Sequence, residues 1–189
     1  MDQTLRKTID QYTAPPNDKL LEEFRFIHNG KTDYYEINDL NYPKRKDLIL
    51  ELYKDYGPEH KSLVKWLLKE EQKGFEVSIP IYTIDLCAFM LYKHMDWEDI
   101  YDLYEAKFGT GTDAQVLLDI ELVFGLDKER IKEYLQSATK NKKLNKKILK
   151  TIEYYESNSE ARFKSRNEYI HFFENFKIKG LMGDLEECQ

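Results

Sequence analysis

The sequence predicts a mainly α-helical protein: a helical bundle or a short stack of antiparallel helical hairpins, with one small N-terminal β-hairpin. Three observations carry that prediction. From Pro43 onward, apolar residues recur at helical spacing. Glycine, proline or short polar links separate the periodic stretches, and short links favour antiparallel neighbours. Near the start, aromatic-rich segments flank a single Asn29-Gly30, the strongest short-range signal for a tight hairpin.

The elements follow in order. Residues 1–12 form a helix that stops at Ala14-Pro15-Pro16, because proline disfavours helix at itself and at the residue before it. A linker leads to the hairpin over 24–37. Pro43 opens a helix with Leu48, Leu52 and Tyr56 four apart, and Gly57-Pro58 ends it and starts the next. That helix carries Leu63, Trp66 and Leu67 and stops at Gly74. Residues 80–94 are apolar on nearly every side, which predicts the central buried helix. Helices over 97–108 and 113–124 close at Gly109 and Gly125, and one over 127–138 begins with an acidic first turn that complements the helix dipole. Two longer helices, 142–155 and 161–176, complete the series.

Composition bounds what such a chain can be. Its 189 residues suit one domain with one core, divided into an N-terminal segment of residues 1–42, a helical body 43–178 and a C-terminal tail 179–189. With 41% hydrophobic and 34% charged residues the chain has enough apolar material to fold. A net charge of −6 argues against a general binder of nucleic acid or anionic membrane and leaves room for a local basic patch. Two cysteines, Cys87 and Cys188, offer neither a disulfide framework nor a CxxC metal pair. The opening residues lack the apolar core of a signal peptide, and the longest apolar run, 79–92, is too short to span a bilayer. A cytoplasmic protein is expected.

The stretch DWEDIYDLYEAKFGTGTD, 96–113, is the most acidic motif. On a wheel of about 100° per residue, Trp97, Ile100, Tyr101, Tyr104 and Phe108 gather on one side and Glu98, Asp102 and Glu105 on another. The aromatics are expected in the core and the three carboxylates in a row that points outward. Asp96 sits where an N-cap belongs, and Asp99 three residues later completes a capping-box pattern. No register supplies a calcium loop, and no Glu-x-x-His pair exists for a di-iron site. The acidic row is then a solvated face or a partner-binding surface with Tyr101 as the neighbouring anchor, or, least favoured, an acid/base pair, because exposed carboxylates without burial or a charged neighbour make poor catalysts. Gly109 to Ala114 fits G-x-G-x-x-A, but without a preceding strand the same residues are explained by a C-cap at Gly109 and an N-cap at Thr112.

Other reactive side chains are scattered. His28, His60, His94 and His171 fit no metal spacing, and His94 suits the C-terminal end of the central helix. Cys87 lies in an apolar run and is expected as a buried small hydrophobe. No serine-nucleophile motif or phosphate loop is present, so no enzyme class, cofactor or metal is expected. The tyrosine pairs 34–35 and 154–155 should each turn one ring outward, and exposed tyrosine is a common interface residue. The opposite charge collects in Lys142, Lys143, Lys146, Lys147 and Lys150, on a face away from Leu144, Ile148 and Ile152. Residues 140–189 carry net +3 and residues 1–139 net −9. That face is a solvated amphipathic surface or a phosphate-binding one.

Glu105-Ala106-Lys107-Phe108, Asp113, the run from Asp119 to Leu126 and Tyr134-Leu135 together resemble helical segments of small immunity proteins from bacterial toxin/immunity systems. The resemblance covers a small share of the chain. It implies a cytoplasmic, non-catalytic protein that binds and blocks a cognate toxin, often a nuclease. The residues independently allow such a role: an acidic, tyrosine-bearing face of Glu98, Tyr101, Asp102 and Glu105 complements a basic cleft. The alternative is a nucleic-acid-associated helical protein that uses the lysine face 142–150.

Overall fold

The computed structural model describes residues 3–12, 18–32, 36–76 and 79–187, and the regular structure in them is helical. The α-helices are α1 (Gln3–Gln11), α2 (Asp18–Leu21), α3 (Tyr42–Tyr53), α4 (Lys61–Phe75), α5 (Tyr82–Lys93) and α6 (Ile100–Phe108). They continue with α7 (Thr112–Leu117), α8 (Glu121–Phe124), α9 (Lys128–Ser137), α10 (Lys142–Glu156), α11 (Arg166–Phe172) and α12 (Ile178–Glu187). Short 3₁₀ turns, Pro58–His60 and Trp97–Asp99, lead into α4 and α6, and a π-helical turn, Phe173–Lys177, joins α11 to α12.

Helix α5 is the hub, as its sequence predicts. Every residue from Thr83 to Tyr92 is buried, because α3, α4, α6, α8 and α12 all pack on it. One apolar cluster runs from Ile9 in α1 to Leu181 in α12, so the helices share a single core. Leu48 and Leu52 of α3, Leu63 and Leu67 of α4, and Ile148 and Ile152 of α10 are fully buried at the expected spacing.

Five expectations need correction. The hairpin over 24–37 does not form strands among the described residues, and Tyr34 and Tyr35 lie outside them. What remains is one antiparallel bridge, His28 to Asp39, with Asn29 N–H on Asn38 O at 3.0 Å and Leu40 N–H on Ile27 O at 2.9 Å. Side chains capture the other amides: Asn29 Oδ1 accepts from Lys31 N–H at 2.8 Å, and Asp39 Oδ1 from Ile27 at 3.3 Å and Asn41 at 3.1 Å.

The helix expected over 113–124 is broken into α7 and α8, with Leu118 extended between them. Buried Lys107 causes the break: its ammonium donates to the carbonyls of Gln115 at 2.6 Å and Leu118 at 2.5 Å, at the end of α7. Helix α4 runs through Gly74 instead of stopping there. A Cβ on Gly74 would lie 3.1 Å from Asp39 Oδ2 and 3.2 Å from Arg45 Nη2, so this glycine serves close packing. Finally, the expected tail from 179 is helical to Glu187, with Leu181 and Leu185 buried. The expected N-cap at Thr112 also moves to Gly111, whose φ of +155° and contact with Phe75 favour glycine.

Candidate binding cleft

The cleft begins with two charge rows. Lys61, Lys65, Lys69 and Lys73 recur every four residues along α4, and Asp96, Asp99 and Asp102 every three along the entry to α6. Both spacings keep a row on one helix face. Where α4 meets α6 the rows interleave: Lys61 Nζ lies 2.5 Å from both Asp96 Oδ2 and Asp99 Oδ2. Lys65 Nζ lies 2.6 Å from Asp99 Oδ1 and 2.8 Å from Asp102 Oδ2, and Lys69 Nζ lies 3.6 Å from Asp102 Oδ1. Asp99 is buried, and it also accepts the Asp96 N–H at 2.7 Å, which is the expected half of a capping box. Burial alone would raise its pKa, but the bonds from Lys61 and Lys65 hold it below the usual carboxylate range.

This ladder revises the expected acidic row. Asp102 does not point freely outward, because the α4 lysines take its carboxylate and leave its side chain 22% exposed. Glu98 and Glu105 are the exposed members. The structure brings Glu98, Tyr101 and Asp102 together on an open cleft of about 490 Å³, with Lys65, Tyr134 and Lys140 on its other walls. Glu105, one turn further along, does not belong to that lining.

The cleft is held in shape from behind. Tyr101 Oη donates to Asn145 Oδ1 at 2.9 Å, and the Asn145 amide donates to Lys140 O at 3.0 Å. Asn145 is buried, so this pair ties α6 to the turn before α10. In that turn Asn141 adopts φ +57°, the left-handed conformation that asparagine tolerates better than most side chains. Trp97 stacks on Tyr134 with centroids 6.1 Å apart, and the Arg130 guanidinium covers the Trp97 ring at 5.2 Å. Burial, then Tyr101 and Glu98, push the Tyr134 phenol up to about 12, so it stays a neutral donor.

The second set of sequence candidates lies on α10. Lys142, Lys143, Lys146, Lys147 and Lys150 are all exposed, while Asn145, Ile148 and Ile152 face the core. Tyr154 is 74% exposed and Tyr155 half-buried, the outward and inward pair expected.

Two buried ionic clusters escaped the sequence. Arg45, wholly inside, donates to Asp39 Oδ2 at 2.6 Å, to Phe24 O at 3.2 Å and to Glu71, which also accepts from Thr83. Near the C-terminal helices, Lys177 lies 2.7 Å from Asp85 and 2.6 Å from Asp119, and Tyr169 Oη donates to Asp119 at 3.1 Å. The π-turn carries Lys177, and such turns often occur at functional positions. Burial raises Asp85 to about 6, against the pull of Lys177, and its Oδ1 finds no hydrogen-bond donor among the described residues. A cavity of about 220 Å³ adjoins it, lined by Leu117, Leu181 and Asp184. A lone acid inside an apolar run, as at Asp85, was the available signal.

Remaining candidates are structural. Cys87 is buried, and desolvation pushes its thiol well up from the ordinary range. His94 caps α5 edge-on to Tyr56 at 5.4 Å; burial and then Lys93 lower its pKa, so it does not place a positive charge on the helix end at neutral pH. Among the described residues no group of three or more His, Cys, Asp or Glu is placed to hold a metal ion, and no helix is long and apolar enough to cross a membrane. Comparison of the chain with family models, with curated proteins and with solved structures finds no match.

Proposed function

We propose that this helical protein is a non-catalytic protein-binding module that receives its partner in the cleft of Glu98, Tyr101 and Asp102. One observation carries the reading: an open cleft combines carboxylates, two tyrosines and lysines on a frame fixed by the Lys61–Asp99–Lys65 ladder and the Tyr101–Asn145 bond. A surface already rigid in the free state loses little entropy on docking, and tyrosines in a desolvated centre carry much of an interface's energy. Exposed Glu98 on the cleft, with Glu105 about two turns further along the helix, selects a basic partner. The immunity-protein resemblance supplies the partner class, a cognate toxin.

The test is affinity purification of the tagged chain from its own cells, followed by mass spectrometry, and then titration of the recovered partner against variants. A stoichiometric basic protein is expected. Glu98→Lys with Glu105→Lys should lower affinity about tenfold or more, chiefly through slower association that recovers at high salt. Tyr101→Ala should accelerate dissociation. Asp102 is left intact because its reversal would disturb the α4–α6 ladder. Unchanged affinity in all these variants, with the fold preserved, removes the cleft from consideration.

A further inference from the structure

Two aromatic-lined grooves meet at the C-terminal half of α10 and share Tyr154 and Tyr155. One, about 400 Å³, is also lined by Phe108, Lys147 and Lys150. The other, about 570 Å³, is also lined by Phe163. Tyr154, the more exposed ring of the two, stands perpendicular to Tyr155 with centroids 5.6 Å apart.

The same helix bears the five exposed lysines, and none of them makes an ion pair among the described residues. Lys147 touches an aromatic ring instead, 5.7 Å above Tyr104. The contrast with α4 is sharp, because Lys61, Lys65, Lys69 and Lys73 are all paired. No acidic residue occurs from 134 to 152; the acids of α10, Glu153 and Glu156, follow the lysines in its last turn, and Glu156 is paired with Lys128 and Lys132. The apolar side of α10 is already spent on the core through Ile148 and Ile152, with α8 and α9 packed against it, and cannot enter a lipid surface.

We propose that this face of α10 binds single-stranded nucleic acid. Lys142 to Lys150 span about 12 Å of helix and take the phosphates. Tyr154 stacks with a base in a flanking groove, where Phe108 or Phe163 supplies the second aromatic wall. A duplex keeps its bases stacked on one another and offers Tyr154 nothing to stack with. Lysines are point charges without the guanidinium fork that reads guanine, so recognition is independent of sequence. The site is separate from the cleft, and its test does not depend on the protein-binding reading.

The experiment is fluorescence anisotropy of the full chain with labelled single-stranded RNA and DNA of about 15 nucleotides. Matched duplexes and poly-glutamate serve as polyanions without free bases. Single strands should bind, with log affinity falling against log salt at a slope of about −3 to −4 for five phosphate contacts. Lys143→Gln, Lys147→Gln and Lys150→Gln together should flatten that slope by about 2. Tyr154→Ala should weaken binding about 5- to 100-fold without changing the slope, while Tyr154→Phe should retain affinity. All these positions are exposed, and circular dichroism checks that the helices persist. Absence of binding at about 50 mM salt overturns the proposal. So does equal binding of duplex or poly-glutamate, or indifference to Tyr154→Ala.

Discussion

Asp85 is a carboxylate in the central helix with one oxygen on Lys177 and the other without a donor among the described residues. Its folded-state value of about 6 lies above the ordinary 3.8, so the folded chain holds this proton more tightly than the unfolded one. The stabilisation is therefore fully present below the unfolded value and is lost as pH rises through about 6, amounting to about 3 kcal/mol for a shift of this size. Asp85→Asn should remove that dependence. In urea unfolding, its stability relative to the parent should rise between about pH 4 and pH 7, and parallel profiles would show that Asp85 does not titrate there. Arg45 makes the complementary case. Burial opposes its charge, but Glu71 and Asp39 outweigh that cost and hold it charged. Arg45→Met leaves two buried acids without their cation, with an expected loss of about 3–5 kcal/mol. Adding Asp39→Asn and Glu71→Gln should recover some of it.

At the scale of the element, the same residue type has opposite effects in two helices. Gly74 lies inside α4 against Asp39 and Arg45, both fixed in the buried ion cluster. Alanine is the better helix former by about 1 kcal/mol, but overpacking costs about 1–3 kcal/mol where neighbours cannot move. Gly74→Ala should therefore destabilise the protein. In α12, a Cβ on Gly180 or Gly183 would meet nothing within 4 Å, so Gly180→Ala and Gly183→Ala should each stabilise by up to about 1 kcal/mol. Thermal unfolding of the three variants distinguishes the sites, and the same sign at all of them would contradict the packing argument. Element boundaries show what local sequence signals miss. Pro43, Asp127 and the Asp96–Asp99 pair mark helix starts that the sequence announces. The helix expected from 161 starts only at Arg166, where Ser165 and Glu168 form a capping box. The break between α7 and α8 has no glycine or proline; it follows from Lys107 reaching two carbonyls.

For the whole molecule, charge is separated between two surfaces. The cleft carries Glu98 and Asp102, and the α10 face carries five exposed lysines, without an ion pair among the described residues, beyond the Tyr101–Asn145 tie. Substitutions on one surface should leave binding at the other unchanged: Glu98→Lys should not alter the salt slope of nucleic-acid binding, and the lysine variants should not slow partner dissociation. Coupling between them, measured as a double-mutant interaction beyond about 0.5 kcal/mol, would mean that the surfaces act as one. The helical class, the buried character of 80–94 and the faces of α6 and α10 were legible in the sequence, because periodicity and caps act over a few residues. Tertiary structure alone decided that Asp102 is tied to α4, that Glu105 stands outside the cleft, and that Tyr154 ends the lysine face between two grooves. Those outcomes depend on which helix faces meet, and an ion pair across 34 residues, such as Lys65–Asp99, leaves no local trace in the chain.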